Sequence, residues 1–282
     1  MTKDLAGKNF IITGANTGIG KITAMELARR GAHVIVANRS RAKSEPVIKE
    51  IAAATGNPPE LVELDLADLS SVRKAAEQIL AKNIPIHGLI NNAGMAGTRG
   101  KTKDGFEITF GTNHLGHYLF TRLLLDRIKE TQGARIVNVA SKSHYRAKKI
   151  DWSVLRDKTH STTGLREYEV SKLANVLFTK ELARKLEGSG VTTYAVHPGV
   201  VATDAWRKVP GPVRWIMKKF MVTPEQGAHS SLRTATDPAL AAETGHYYDA
   251  DGSEKRPSRL ADDTELAQQL WQRSAEWTGL PA

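Results

Sequence analysis

The chain has no cysteine among its 282 residues. That excludes disulfides, thiolate nucleophiles and Cys-ligated zinc, and it is compatible with a reducing compartment. No apolar run approaches the ~18–20 residues needed to span a bilayer. The start, MTKDLAGKNFIITG, lacks the apolar segment of a secretory signal. A cytoplasmic protein, at most peripheral to a membrane, is therefore expected. No linker, compositional break or internal repeat divides residues 1–282, so one domain is expected. Basic residues exceed acidic ones by 40 to 30, a net charge of +10, which permits contact with a polyanion. The basic residues are nevertheless spread along the chain, without an aromatic-interleaved patch or nucleic-acid motif, so no nucleic-acid partner is expected. At 40% apolar and 25% charged, the composition is that of a soluble globular chain long enough to bury a substantial core.

What is present is a regular alternation of two periodicities. KNFIITG (8–14) is a β-rich run ending in glycine, and IGKITAMELARRG carries Ile19, Ile22, Met25, Leu27 and Ala28 at helical spacing up to Gly31. HVIVANR (33–39) predicts a second strand, and AKSEPVIKEIAAATG a helix ending at Gly56 with Pro46 in its first turn. ELVELDL and HGLINNAG predict two more strands around the helix SSVRKAAEQILAKN, which Ser70 or Ser71 could cap. A long helix then starts at Asn113, followed by a fifth strand ARIVNVAS (134–141), a helix SKLANVLFTKELARKLEG, a sixth strand VTTYAVHPG (191–199) and a short seventh, GHYYDADG (245–252). Such alternation needs crossover connections, so the expected fold is α/β, a single Rossmann-type doubly wound parallel sheet of about seven strands with helices on both faces.

TGANTGIG (13–20) closes the first strand and opens the first helix, the context a dinucleotide fingerprint requires. Glycines 14, 18 and 20 permit a tight turn, and the helix N-terminus offers N–H groups and a positive dipole to a pyrophosphate. The second strand ends in neutral Asn38 and cationic Arg39, with no carboxylate to accept from a ribose 2′-hydroxyl. A guanidinium suits a 2′-phosphate, so NADP(H) is expected over NAD(H), with Arg41 and Lys21 as weaker helpers. YEVSK (168–172) places Tyr168 and Lys172 at i and i+4 on one helix face. An ammonium near a phenol favours the phenolate and would lower its pKa. His114 and His117, at i and i+3, lack an evident third metal ligand, so no metal is expected. His197 in an apolar strand reads as a packed histidine.

Together TGANTGIG, NNAG (91–94), Asn113, Ser141, YEVSK and HPGVVAT (197–203) stand in the order and spacing of the short-chain dehydrogenases/reductases, and SKLANVLFTKELARKLEGSGVTTYAVHPGVV resembles their retinol dehydrogenase and WW-domain oxidoreductase branch. The resemblance implies an NADP(H)-dependent oxidoreductase interconverting a lipophilic alcohol with its aldehyde or ketone. In it Tyr168 would be the acid-base residue, Lys172 its tuner, Ser141 the substrate clamp and Asn113 the water-holding relay. It implies cofactor contacts at Gly14, Asn16, Thr17, Gly18, Ile19, Gly20, Asn38, Arg39, Asp65, Leu66, Asn92, Ala93, Gly94, Tyr168, Lys172, Pro198, Gly199, Val201 and Thr203. A substrate loop at 142–167 and a lid at about 203–224 would wall the substrate site. In the lid, Val213, Ile216, Met217 and Phe220 share a helical face away from most of Arg214, Lys218 and Lys219. That suits a lipophilic substrate arriving from an anionic membrane, and equally a helix packed on the body with a solvated basic side. Many members of the branch carry an amino-terminal membrane anchor, and none precedes the first strand, so retinoid metabolism is not carried over directly. A keto-steroid or quinone reductase, or a non-catalytic NADP(H)-binding sensor, would share these motifs, and a homo-oligomer stays open.

Overall fold

A computed structural model describes residues 3–199 and 223–282. Its framework is a seven-stranded sheet: β1 Asn9–Thr13, β2 His33–Asn38, β3 Glu60–Glu63, β4 Gly88–Asn91, β5 Arg135–Val139, β6 Thr192–Val196 and β7 His246–Tyr248. The order is β3-β2-β1-β4-β5-β6-β7, and every pairing is parallel. The chain winds outward from β1 to β3, then crosses back to set β4 on the other side of β1. Carboxyl ends of neighbouring strands diverge at that reversal and leave a crevice for a ligand.

Eight apolar strand positions show why the strands read as unbroken hydrophobic runs. Ile11, Ile35, Ala37 and Leu89 pack on one face of the sheet, while Phe10, Val34, Val36 and Ile90 pack on the other. The first face is covered by α3 (Leu69–Leu80), α4 (residues 108–129) and α5 (Leu165–Lys185). The second is covered by α1 (Gly18–Arg29), α2 (Arg41–Thr55) and α6 (Pro224–Thr236). A C-terminal helix α7 (Thr264–Thr278) lies against α5, where Trp271 stacks on Phe178 at 5.9 Å. Among the described residues no helix is long and apolar enough to cross a membrane.

Local boundaries differ from expectation in instructive ways. Asp68, not Ser70 or Ser71, caps α3, its carboxylate accepting from both serine N–H groups. A carboxylate is the stronger acceptor at the positive end of a helix. Pro46 lies inside α2, beyond its first turn. Asn113 does not begin the long helix. Glu107 caps it, accepting from Thr109 and Phe110 N–H at 2.8 Å each, and α4 then runs as α-helix over Ile108–Phe110, π-helix over Gly111–Leu115 and α-helix again over Gly116–Lys129. Asn113 therefore sits in a π segment, a feature that recurs at functional positions. α5 begins six residues earlier than expected, at Leu165, which places Tyr168 within its first turns.

Candidate active site

All the candidate cofactor and tetrad residues in the described parts lie at the carboxyl edge of the sheet or on the starts of α1, α4 and α5. Val201 and Thr203, and nearly all of the expected lid, lie outside the described residues. Pro198 and Gly199 follow β6 directly, the proline buried and the glycine half-buried.

The first turn is held by the fourth strand's exit. Thr13 Oγ accepts from the Asn92 and Ala93 N–H groups at 3.0 and 2.9 Å, and Asn92 Nδ2 donates to the Thr13 carbonyl at 2.8 Å. Gly14 has φ +69°, and a Cβ there would stand 2.8 Å from Ala93 Cα; one at Gly20 would stand 2.5 Å from both Asn92 Nδ2 and the Gly14 carbonyl. The two glycines are thus required by the fit of NNAG against the turn as well as by any approaching phosphate. Gly14→Ala should cost about 2 kcal/mol or more from the left-handed backbone and the clash. The expected result is a melting temperature about 4–8 °C lower with weaker nucleotide binding, measured by thermal shift with and without nucleotide.

The residues present fit a dinucleotide. Helix α1 starts at Gly18 with Thr17 as N-cap, and the Thr17 side chain makes no capping bond. The first-turn N–H groups are left to an anion. Asn38 is buried, its Oδ1 accepting from Ala15 N–H at 2.7 Å and its Nδ2 donating to Ser44 at 3.0 Å. It braces the phosphate turn against α2. Arg39, next along the chain, is exposed, whereas Lys21 pairs with Glu50 at 2.6 Å and Arg41 with Glu63 at 2.9 Å. Beyond β3, Asp65 is half-buried and its Oδ1 accepts from Ala67 N–H at 3.0 Å, with Leu66 buried beside it. Asn16 and Ile19 are half-buried in the turn.

The tetrad candidates converge. Lys172 is buried, and its Nζ donates to the Val139 carbonyl at 2.8 Å, at the end of β5, two residues before Ser141. The same Nζ lies 5.7 Å from the Tyr168 ring centre. A Cβ on Gly94 would stand 3.4 Å from Asn113 Oδ1 and 3.5 Å from Lys172 Nζ, so NNAG reaches the same spot. Asn113 is fully buried; its Nδ2 donates to the Met95 carbonyl and to Ser171 Oγ, both at 3.0 Å, and its Oδ1 accepts from Met95 N–H at 2.9 Å. Ser171 in turn donates to the Tyr168 carbonyl at 2.8 Å, tying Asn113 and Tyr168 to one helix turn. Ser141 Oγ accepts from Ser143 N–H at 3.1 Å.

Burial sets the proton affinities here. It pushes the Tyr168 phenol above its usual range, the Ser141 hydroxyl acting the other way, and it brings the Lys172 ammonium down to about 8. The phenol thus stands above its usual range instead of below it, because its burial outweighs the groups that favour the phenolate. A raised phenol is a protonated one at neutral pH, fit to give a proton.

His114 and His117, noted in the sequence for their i, i+3 spacing and without an expected metal, turn apart. His114 bonds Ser274 of α7 at 3.0 Å within an aromatic cluster of Phe110, Tyr118 and Phe178, while His117 turns toward Thr13 at 2.8 Å. They do not share a ligand position. His144 escaped the sequence reading altogether: its Nδ1 bonds the Ser141 carbonyl at 2.7 Å. Only its place three residues after Ser141 could have drawn notice.

Residues 8–154 match the family model described as short chain dehydrogenase. The chain is 46% identical to human retinol dehydrogenase 11 over 284 residues, covering 99% of this chain and 88% of that protein, and 44% identical to human retinol dehydrogenase 13, covering 99% and 86%. Among solved structures, an uncharacterized protein of Mycobacterium paratuberculosis superposes with TM-score 0.79 at 35% identity over 100% of this chain and 99% of that one. A structure from Beutenbergia cavernae, provisionally assigned as an NAD(P) dependent gluconate 5-dehydrogenase and holding NADP at low occupancy, gives TM-score 0.72 at 27% identity over 89% and 98%.

Proposed function

The chain belongs to the short-chain dehydrogenases, in the branch of the retinol dehydrogenases, and from that premise we propose that it is an NADP(H)-dependent oxidoreductase interconverting a lipophilic alcohol with its aldehyde or ketone. The observation that carries the reading is the convergence of Ser141, Tyr168, Lys172 and Asn113: Asn113 and Lys172 meet beside Gly94, Lys172 lies against the Tyr168 ring, and the Ser141 hydroxyl meets the Tyr168 phenol. Gly14, Gly18 and Gly20 would admit the pyrophosphate against the α1 N-terminus, and Arg39 would meet a 2′-phosphate. The nicotinamide supplies or accepts the hydride.

Ser141 would hold the substrate oxygen through its hydroxyl. In reduction, Tyr168 gives its proton to that oxygen as the carbonyl carbon takes a hydride, so C=O becomes CH–OH and the tyrosine is left as phenolate. Lys172 stabilises that anion, and Asn113 orients the route by which a proton returns to it. In oxidation the proton moves the other way, from the alcohol to the phenolate. The exposed Tyr145 and Leu165, each 45% accessible, flank Ser141 and Tyr168 in sequence and offer apolar surface to a lipophilic substrate. The loop at 142–167 that carries them would form one wall of that site, and peripheral membrane contact would suit delivery of such a molecule.

NADPH oxidation followed by nicotinamide absorbance against retinal, long-chain and aromatic aldehydes, a keto-steroid and a quinone tests the reading directly. Turnover with one carbonyl class is expected; tight NADPH binding without turnover of any would overturn it in favour of a nucleotide sensor. For the cofactor, Arg39→Asp should raise the KM for NADPH about 100-fold, the worth of one lost charge-assisted contact plus a new repulsion, and leave NADH within about threefold. Equal changes for both nucleotides would remove the 2′-phosphate assignment.

A further inference from the structure

We propose that His117 and His144 are positioning residues, each a neutral ring that fixes the main-chain carbonyl of one tetrad residue to a distant part of the chain; the kinetic half of this proposal rests on the oxidoreductase reading above.

The wiring follows from counting hydrogens. Thr13 Oγ already accepts from Asn92 and Ala93 N–H at 3.0 and 2.9 Å, so its one hydrogen is free to point at His117 Nε2, 2.8 Å away. Nε2 must then be the acceptor nitrogen, and Nδ1 carries the proton. That proton meets the Asn113 carbonyl at 3.0 Å, an atom that can only accept. Both ends of the ring demand the same tautomer. His117 therefore runs a continuous chain from NNAG through Thr13 to the π segment holding Asn113.

His144 repeats the arrangement on the other side of the site. Its Nε2 accepts from the Ser258 N–H at 3.1 Å, and its Nδ1–H donates to the Ser141 carbonyl at 2.7 Å. The turn that carries it is held by the same C-terminal stretch at two further points: Lys142 to Asp249 at 2.9 Å, and the Tyr145 hydroxyl to the Arg256 carbonyl at 2.6 Å. Residues 249–258 thus clasp the turn that aims Ser141. His117 and His144 are buried, and burial lowers the proton affinity of each ring, as a neutral connector requires.

An asparagine amide nitrogen can stand where Nδ1 was, and a glutamine amide oxygen where Nε2 was, so the two ends can be cut separately. His117→Asn and His144→Asn keep the bond to the tetrad carbonyl and lose the anchor; His117→Gln and His144→Gln do the reverse. With circular dichroism and NADPH affinity held, each Asn and each Gln variant should lose about ten- to a hundredfold in kcat, because cutting either end of the ring leaves the tetrad carbonyl unfixed and its side chain misplaced. His144→Gln should also raise substrate KM, because Ser141 touches the substrate, whereas His117→Gln should not. Full turnover in either member of a pair, or losses that simply follow melting temperature, overturn the proposal.

Nitrogen-15 NMR of the histidine rings needs no turnover. Both rings should be neutral with the proton on Nδ1 at pH 7, and the Gln variants should shift the carbonyl carbon resonance of Asn113 or Ser141; an Nε2–H ring at either position overturns the wiring. A protein with both signatures that turns over no carbonyl would leave the wiring in place and overturn the reaction reading alone.

Discussion

Replacing Tyr168 with phenylalanine should lower kcat by about 10³-fold or more while NADPH affinity stays within about threefold, because it removes the phenolic hydroxyl beside Ser141 and little else. Tyr168 is half-buried on α5, one turn before Lys172, and its hydroxyl is the only part deleted. A folded Phe variant with full turnover would dismiss the proposed chemistry. The direction of the phenol's shift adds a pH expectation. Burial raises its pKa, so at neutral pH the group is protonated and ready for reduction, while oxidation needs the anion and should accelerate as pH rises. Lys172, brought down to about 8, loses its charge in the same alkaline range and with it the stabilisation of the phenolate. The oxidation rate should therefore climb and then flatten above pH 8 instead of rising through 10. A profile that is flat from pH 6 to 9 in both directions would mean that neither group governs the rate.

The sheet, its order of elements and the grouping of the candidate tetrad residues were legible because each is a local pattern. Strand and helix periods alternate within a few residues, the glycines of 14–20 sit at a strand-to-helix junction, and Tyr168 and Lys172 fall on one helix face by spacing alone. What escaped was everything decided by a partner far along the chain. His117 meets Thr13 across 104 positions and His144 meets Ser258 across 114, so neither bond leaves a trace in local periodicity. The π segment was missed for a related reason: one extra residue in a turn leaves the apolar pattern of α4 nearly intact, and Asn113 then resembles a cap. Only the strand position of Asn38 was visible in the sequence, and its bond from Ala15 N–H, 23 positions away, was not. The phenol's shift was misjudged since helical spacing places Lys172 near Tyr168 but says nothing of how deeply the phenol is buried.

Acid should unfold this protein well before its carboxylates are titrated. His114, His117 and His197 are buried, and burial lowers them to about 3, 4 and 4. An unfolded histidine takes up its proton near pH ~6.5. Below that value the unfolded chain binds three protons that the folded chain refuses, so stability is intact above pH ~6.5 and falls as pH drops toward the folded values. Each ring costs about 1.4 kcal/mol per pH unit once below its unfolded pKa, so the three together should remove roughly 4–6 kcal/mol between pH 7 and pH 5. That is a large share of the ~5–15 kcal/mol typical of a domain. Glu107 works against this trend: burial raises its pKa, so the folded form takes up its proton first, and it offsets a part of one histidine's effect. Urea unfolding followed at pH 7, 6 and 5 should show a slope between pH 6 and 5 approaching three protons, and a slope below one would mean that these rings are not held neutral. His114→Phe separates the contributions. Its ring would stay among Phe110, Tyr118 and Phe178 at the loss of the bond to Ser274, and it would remove one of the three titrating rings. The variant should reduce the acid slope by about a third while leaving the pH profile of turnover in place, since His114 faces α7 and not the tetrad.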